Sequence, residues 1–112
     1  MTITEEMQDN TATLKLEGSF TYTQRKLFQD TLKNLNDKNV EHVIVDLAHV
    51  SFLDSAALGL LMITHRQLVA DKRRLSLAHP QSTVRQIIEL ANLHKTIPLI
   101  ESPAAPLAKK TA

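Results

Sequence analysis

Alternation of polar and apolar residues opens the chain. Residues 2–7 and 11–16 both alternate with a period of two, and Asp9-Asn10 between them is a turn signal. This pattern predicts a β-hairpin, and Gly18 is expected to end its second strand.

The next segment changes to a helical period. Between residues 23 and 35 the apolar side chains fall on one helical face, namely Leu27, Phe28, Leu32 and Leu35. The β-branched run 43–47 follows and predicts an interior, parallel strand at the centre of the sheet. The helix is therefore expected to cover that sheet.

A second helix is predicted to begin at Asp54-Ser55, and a further strand at 75–78 follows it. The apolar face of this helix is predicted from residues spaced three and four apart: Leu58, Leu61, Met62, His65, Leu68 and Val69.

The end of the chain predicts one more helix and a short edge strand. Ser82 or Thr83 is expected to cap the helix, and a strand at 97–100 is interrupted by Pro98. The inner face of this third helix is predicted to consist of Val84, Ile87, Ile88 and Ala91.

This order of elements predicts an α/β fold. Helical crossovers between parallel strands are right-handed, so consecutive strands should lie side by side. We predict a mixed β-sheet with an N-terminal hairpin, parallel β-α-β units and helices packed on the sheet. Residues 1–101 are predicted to form this single domain, and the tail 102–112, rich in Pro, Ala and Lys, is predicted to be disordered.

Composition excludes several classes of function. The 112 residues carry 13 basic and 12 acidic side chains, and this near-balance gives no field for attracting nucleic acid. The sequence lacks cysteine, and its two glycines are too few for a phosphate loop or a dinucleotide fingerprint. No apolar run is long enough to span a membrane and the N-terminus is acidic, so we expect a cytoplasmic protein.

Residues for metal binding or catalysis do not form a recognisable pattern. The five histidines show no pair at helical i, i+4 spacing, and no Gly-x-Ser-x-Gly nucleophile elbow surrounds Ser55. We therefore expect no cofactor, no metal and no enzymatic activity.

Asp54-Ser55 is the candidate for a functional site. An Asp-Ser pair before an apolar helix is commonly an ordinary N-cap. The same position also suits a phosphorylated serine, because unpaired N–H groups and the positive end of the helix dipole favour an anion. Both interpretations follow from the residues.

The run 43–47 followed by residues 50–59 resembles the signature of STAS domains, specifically the bacterial anti-sigma factor antagonists. The resemblance covers the chain from about Ile3 to Ile100. It implies a protein that binds an anti-sigma factor of the serine protein kinase type and so releases a sigma factor. It further implies that phosphorylation at Ser55, beside Asp54, ends binding and that a PPM-type serine phosphatase restores it.

The sequence departs from that family pattern at two places. Ala56 and Ala57 follow Ser55 where Ser or Thr and then Gly are common, and Thr21 stands where the family has Asp. The predicted partner-binding face consists of Thr21, Tyr22, Asp54, Ser55, Ala56, Leu58, Gly59 and Met62. Two other functions share this fold, a constitutive scaffold module and a STAS component of a transport system.

Overall fold

A five-stranded mixed sheet forms the centre of the molecule. A computed structural model describes residues 1–36 and 39–100 of the chain. The strands lie across the sheet in chain order: β1 (Thr2–Gln8), β2 (Thr11–Phe20), β3 (His42–Leu53), β4 (Arg74–Ala78) and β5 (Leu99–Ile100). The β1–β2 pair is antiparallel and the other pairs are parallel, which confirms the predicted α/β fold and strand order.

Three helices connect the parallel strands. They are α1 (Arg25–Asn36), α2 (Ser55–Ala70) and α3 (Ser82–Leu90). A 3-10 turn at Tyr22–Gln24 leads into α1, and a second at Leu93–Lys95 leads towards β5. None of these helices is long and apolar enough to cross a bilayer.

The pairing of β2, β3 and β4 places their apolar side chains next to one another on one face of the sheet. Ala12 and Leu14 of β2 pair with Val43 and Val45 of β3, and these pair in turn with Leu75 and Leu77 of β4. All six side chains are buried, because residues two apart on a strand share a face. The rings of Phe20 and Phe28 pack with centroids 5.1 Å apart and so join the end of β2 to α1.

Gly18 does not end β2, contrary to the prediction. The strand continues to Phe20, and the pairing with β3 shifts register between Gly18 and Ser19. Gly18 has a φ of +104°, a conformation that only glycine adopts without strain. The glycine therefore marks a β-bulge, which bends the strand without terminating it.

Two of the predicted helix faces are rotated in the structure. Leu27 of α1 and Val69 of α2 are exposed rather than buried. The buried face of α2 consists of Ala57, Leu60, Leu61, Thr64 and Leu68, with Leu58, Met62 and His65 half-buried. Because α2 is apolar on several sides, its periodicity alone does not determine which side meets the sheet.

The start and the end of α3 also differ from the prediction. Ser82 is the first helical residue and Gln81 is the N-cap, without a hydrogen bond from a side-chain cap. The Gln81 amide instead donates to the Ala48 carbonyl at 2.8 Å. Ala91 follows the helix and is exposed, so it does not belong to the inner face. The predicted disordered tail, residues 102–112, lies outside the described residues.

Candidate functional site

The candidate site lies where β2 and β3 end side by side. Phe20 pairs with Leu53, and these are the last residues of the two strands. Thr21 and Asp54 therefore follow at the same edge of the sheet, the edge at which ligands and partners meet open α/β folds.

Asp54 connects the two segments that leave these strands. Its Oδ1 accepts a hydrogen bond from the Ala57 backbone N–H at 2.8 Å, which makes it the N-cap of α2. Its Oδ2 accepts from the Tyr22 backbone N–H at 3.0 Å. The Asp54 N–H in turn donates to the Phe20 carbonyl at 3.2 Å. One carboxylate thus caps α2 and holds the start of the 3-10 turn.

Ser55 is the first residue of α2 and is exposed. Within residues 1–36 and 39–100, no group forms a hydrogen bond with its hydroxyl. The side-chain bond that caps α2 is made by Asp54 instead. The first turn of α2 carries no acidic side chain, but the Asp54 carboxylate lies directly before it as the N-cap. The hydroxyl therefore stands beside the positive end of a helix dipole that Asp54 already neutralises in part.

The predicted partner-binding residues all reach the surface in this region. Tyr22, Ser55 and Gly59 are exposed. The other predicted members of the face are half-buried: Thr21, Asp54, Ala56, Leu58 and Met62.

Thr21 forms its hydrogen bonds within the 3-10 turn that follows it. Its hydroxyl donates to the Gln24 Oε1 at 2.7 Å, and its backbone N–H donates to the same oxygen at 3.1 Å. Where the family pattern has a carboxylate, this chain has a neutral hydroxyl that bonds internally.

Two further residues belong to this end of the molecule and were missed in the sequence. The Arg25 guanidinium lies 4.7 Å from the centroid of the Tyr22 ring and donates to its hydroxyl at 3.3 Å. Phe52, near the end of β3, is exposed although its neighbour Leu53 is buried. The i, i+3 spacing of Tyr22 and Arg25 in the sequence indicated that their side chains could be in contact. The exposure of Phe52 had no such local signal, because it depends on how β3 pairs with β2.

A metal site built on histidine needs several ligating side chains close together. In the part of the chain that the structure describes, no group of three or more His, Cys, Asp or Glu side chains could hold a metal ion. His42, at the start of β3, lies with its Nε2 2.7 Å from the Ser76 hydroxyl oxygen. Burial, and then the charge of Arg74, lower the pKa of His42 below its ordinary value. A neutral imidazole is therefore favoured at the opposite end of the strand from Ser55.

Comparison with known proteins agrees with this architecture. The chain is 28% identical over 83 residues to a STAS-domain containing protein of Pseudomonas aeruginosa (strain UCBPP-PA14), covering 74% of this chain and 81% of that protein. The unphosphorylated form of the anti-sigma factor antagonist SpoIIAA superposes with a TM-score of 0.78, at 21% identity, over 95% of this chain and 92% of that chain. The phosphorylated form of SpoIIAA, a Bacillus cell fate determinant, gives a TM-score of 0.71 at 20% identity, over 95% and 96% of the two chains. The family model described as the STAS domain matches residues 2–105, and the chain belongs to that family.

Proposed function

We propose that this chain is an anti-sigma factor antagonist switched by phosphorylation at Ser55. The unphosphorylated domain binds an anti-sigma factor of the serine protein kinase type and so releases a sigma factor. Phosphorylation by that kinase disrupts the complex, and a PPM-type serine phosphatase restores it. The chain itself catalyses no reaction in this scheme.

The observation that carries the proposal is the free, exposed hydroxyl of Ser55 at the start of a 16-residue helix. A serine needed as the N-cap would lose a stabilising bond on modification, but here Asp54 makes that bond. SpoIIAA, which shares the fold, is described in both unphosphorylated and phosphorylated forms. A phosphate on this fold is thus compatible with the domain architecture.

The charge of the surface around Ser55 supports the proposal that a phosphate weakens binding. Residues 55–62, the first two turns of α2, contain no charged side chain. The part of a partner that docks on these two turns meets no charged side chain from them. A phosphoserine carries about −1.5 to −2 charges, and its desolvation in such a contact is unfavourable unless the partner supplies a cation.

The fold itself should tolerate the phosphate. The N-terminus of α2 stabilises an adjacent anion by roughly 0.3–1 kcal/mol, which offsets part of the repulsion from the nearby Asp54 carboxylate, and the exposure of Ser55 to water screens the rest. The switch therefore acts on the affinity for the partner and leaves the domain folded.

The experiment is a calorimetric titration with the cognate partner. That partner is recovered from the source cells on immobilised wild-type chain, identified by mass spectrometry and then purified. Ser55→Ala should bind as the wild type does and resist inactivation by ATP and the kinase. Ser55→Glu should bind at least about tenfold more weakly, which corresponds to about 1.4 kcal/mol.

Ser82→Glu is the matched control, because Ser82 is also the exposed first residue of a helix but lies at the start of α3. It should bind like the wild type. Equal affinities of Ser55→Ala and Ser55→Glu would contradict the switch and favour a constitutive scaffold. Intact-mass analysis of the protein from its native cells adds an independent readout, since the switch requires a phosphorylated fraction at Ser55.

A further inference from the structure

The four aromatic residues of the chain divide into two pairs with opposite exposure. Phe20 and Phe28 are fully buried and pack on each other. Tyr22 is 59% exposed and Phe52 is 46% exposed. Tyr22 follows the end of β2 and bonds to Asp54 through its backbone, and Phe52 is the last residue but one of β3. Exposed aromatic side chains are enriched at protein interfaces.

Tyr22 is held in position before any partner arrives. Its backbone N–H donates to the Asp54 carboxylate at 3.0 Å. The Arg25 guanidinium packs over its ring at 4.7 Å and donates to its hydroxyl at 3.3 Å. A side chain that is already ordered loses less conformational entropy on binding, so its contacts contribute more to affinity.

Arg25 is an exposed cation in contact with Tyr22. Each oxygen of the Asp54 carboxylate already accepts one backbone N–H group. The Thr21 hydroxyl donates to Gln24. Arg25 is exposed and has five N–H donors, of which one bonds to the Tyr22 hydroxyl. The remaining donors match the two oxygens of a carboxylate.

We propose that Tyr22 and Arg25 together form the anchor of the partner interface. The partner accepts the Tyr22 ring in an apolar cleft, and a carboxylate at the rim of that cleft pairs with Arg25. The inference rests on the proposed function for the location of the face. It concerns the unphosphorylated complex and does not depend on how Ser55 is switched.

The test uses the purified partner from the calorimetric experiment and the unphosphorylated full chain. Tyr22→Ala should bind about 30-fold more weakly or worse, as is usual for a hot-spot aromatic. Arg25→Gln should bind about tenfold more weakly. Lys26→Gln is the matched control, because Lys26 is the adjacent exposed cation and pairs with Asp30 on its own helix. It should bind within about twofold of the wild type. Thermal unfolding confirms that each variant folds.

The chemistry of the partner is tested by crosslinking and charge reversal. A photo-crosslinking amino acid at position 22 identifies the partner residues around the ring, and these should be apolar with an Asp or Glu beside them. Changing that acidic residue to Lys should restore binding to Arg25→Glu while weakening binding to the wild type. Crosslinks to a basic surface, or the absence of this rescue, would overturn the assignment of a carboxylate.

The two proposals can fail separately. If Tyr22→Ala and Arg25→Gln bind like the wild type while Ser55→Glu binds weakly, the anchor is wrong and the switch stands. If Ser55→Glu binds normally while the two anchor variants bind weakly, the switch is wrong and the anchor stands.

Discussion

Replacing Asp54 by Asn or by Ala separates the two hydrogen bonds that its carboxylate accepts. In the wild type, Oδ1 bonds the Ala57 N–H at 2.8 Å and Oδ2 bonds the Tyr22 N–H at 3.0 Å. An Asn side chain has one acceptor oxygen, so it can keep the cap of α2 but places an NH₂ group against the Tyr22 N–H. An Ala side chain loses both bonds.

The magnitudes follow from the two bonds. Loss of an N-cap side chain costs about 0.5–2 kcal/mol, typically about 1. A hydrogen bond to a charged group contributes about 1.5–3 kcal/mol, and a value of about 1–1.5 kcal/mol, at or just below that range, applies here because Asp54 is half-buried and Tyr22 is exposed to water. We therefore expect the free energy of unfolding to fall by about 1–1.5 kcal/mol in Asp54→Asn and by about 2–2.5 kcal/mol in Asp54→Ala.

The assay is urea unfolding followed by circular dichroism, with the slope m unchanged between variants. Asp30→Asn is the control, since Asp30 forms an exposed i, i+4 ion pair with Lys26 at 3.3 Å. Its loss should cost no more than about 0.5 kcal/mol. If Asp54→Asn is as stable as the wild type, the bond to Tyr22 contributes nothing and the carboxylate does not join the two segments. Faster hydrogen exchange at the Tyr22 amide in Asp54→Asn would identify the lost bond directly.

Two further predictions concern stability away from the site. Because the pKa of His42 in the folded state lies below its ordinary value of 6.5, the unfolded chain binds the proton first, and stability should fall as the pH drops through 6.5 towards the lowered pKa. Urea unfolding between about pH 5 and 8 should show a weaker pH dependence in His42→Gln, and an identical slope would contradict this. Gly18→Ala has room for a methyl group, with the nearest atom, the Met1 Cα, 3.6 Å away, but places alanine at a φ of +104°. We expect a loss of about 1–2 kcal/mol in unfolding free energy, and an alanine variant as stable as the wild type would show that the bulge does not require glycine.

Sequence patterns predicted the architecture because the relevant signals are local. The hairpin follows from two alternating segments around Asp9-Asn10, and the parallel order follows from helices placed between strands. The predictions were wrong at positions whose conformation or burial is determined by tertiary contacts. The bulge at Gly18 depends on pairing with β3, and the exposure of Leu27 and Val69 depends on where each helix settles on the sheet.

At the candidate site, too, the local features could be predicted from the sequence and the long-range contacts could not. Asp54 and Ser55 are adjacent in the sequence and precede an apolar helix, so their placement at its start needed no long-range information. The bond from Tyr22 to Asp54 spans 32 positions, and no local pattern encodes it. That contact depends on the pairing of Phe20 with Leu53, which only the assembled sheet establishes.

The shared carboxylate also makes it possible to separate stability from recognition at this surface. Native domains are stable by about 5–15 kcal/mol, so a loss of 1–1.5 kcal/mol in Asp54→Asn leaves nearly all molecules folded. Unfolding then cannot lower the measured affinity for the partner to a detectable extent. A weaker complex of Asp54→Asn would therefore report a change in the partner-binding face itself, through the lost bond to the Tyr22 backbone or the lost Asp54 charge, while Ser55 and the cap of α2 stay in place. An unchanged affinity would mean that the complex needs neither that bond nor that charge.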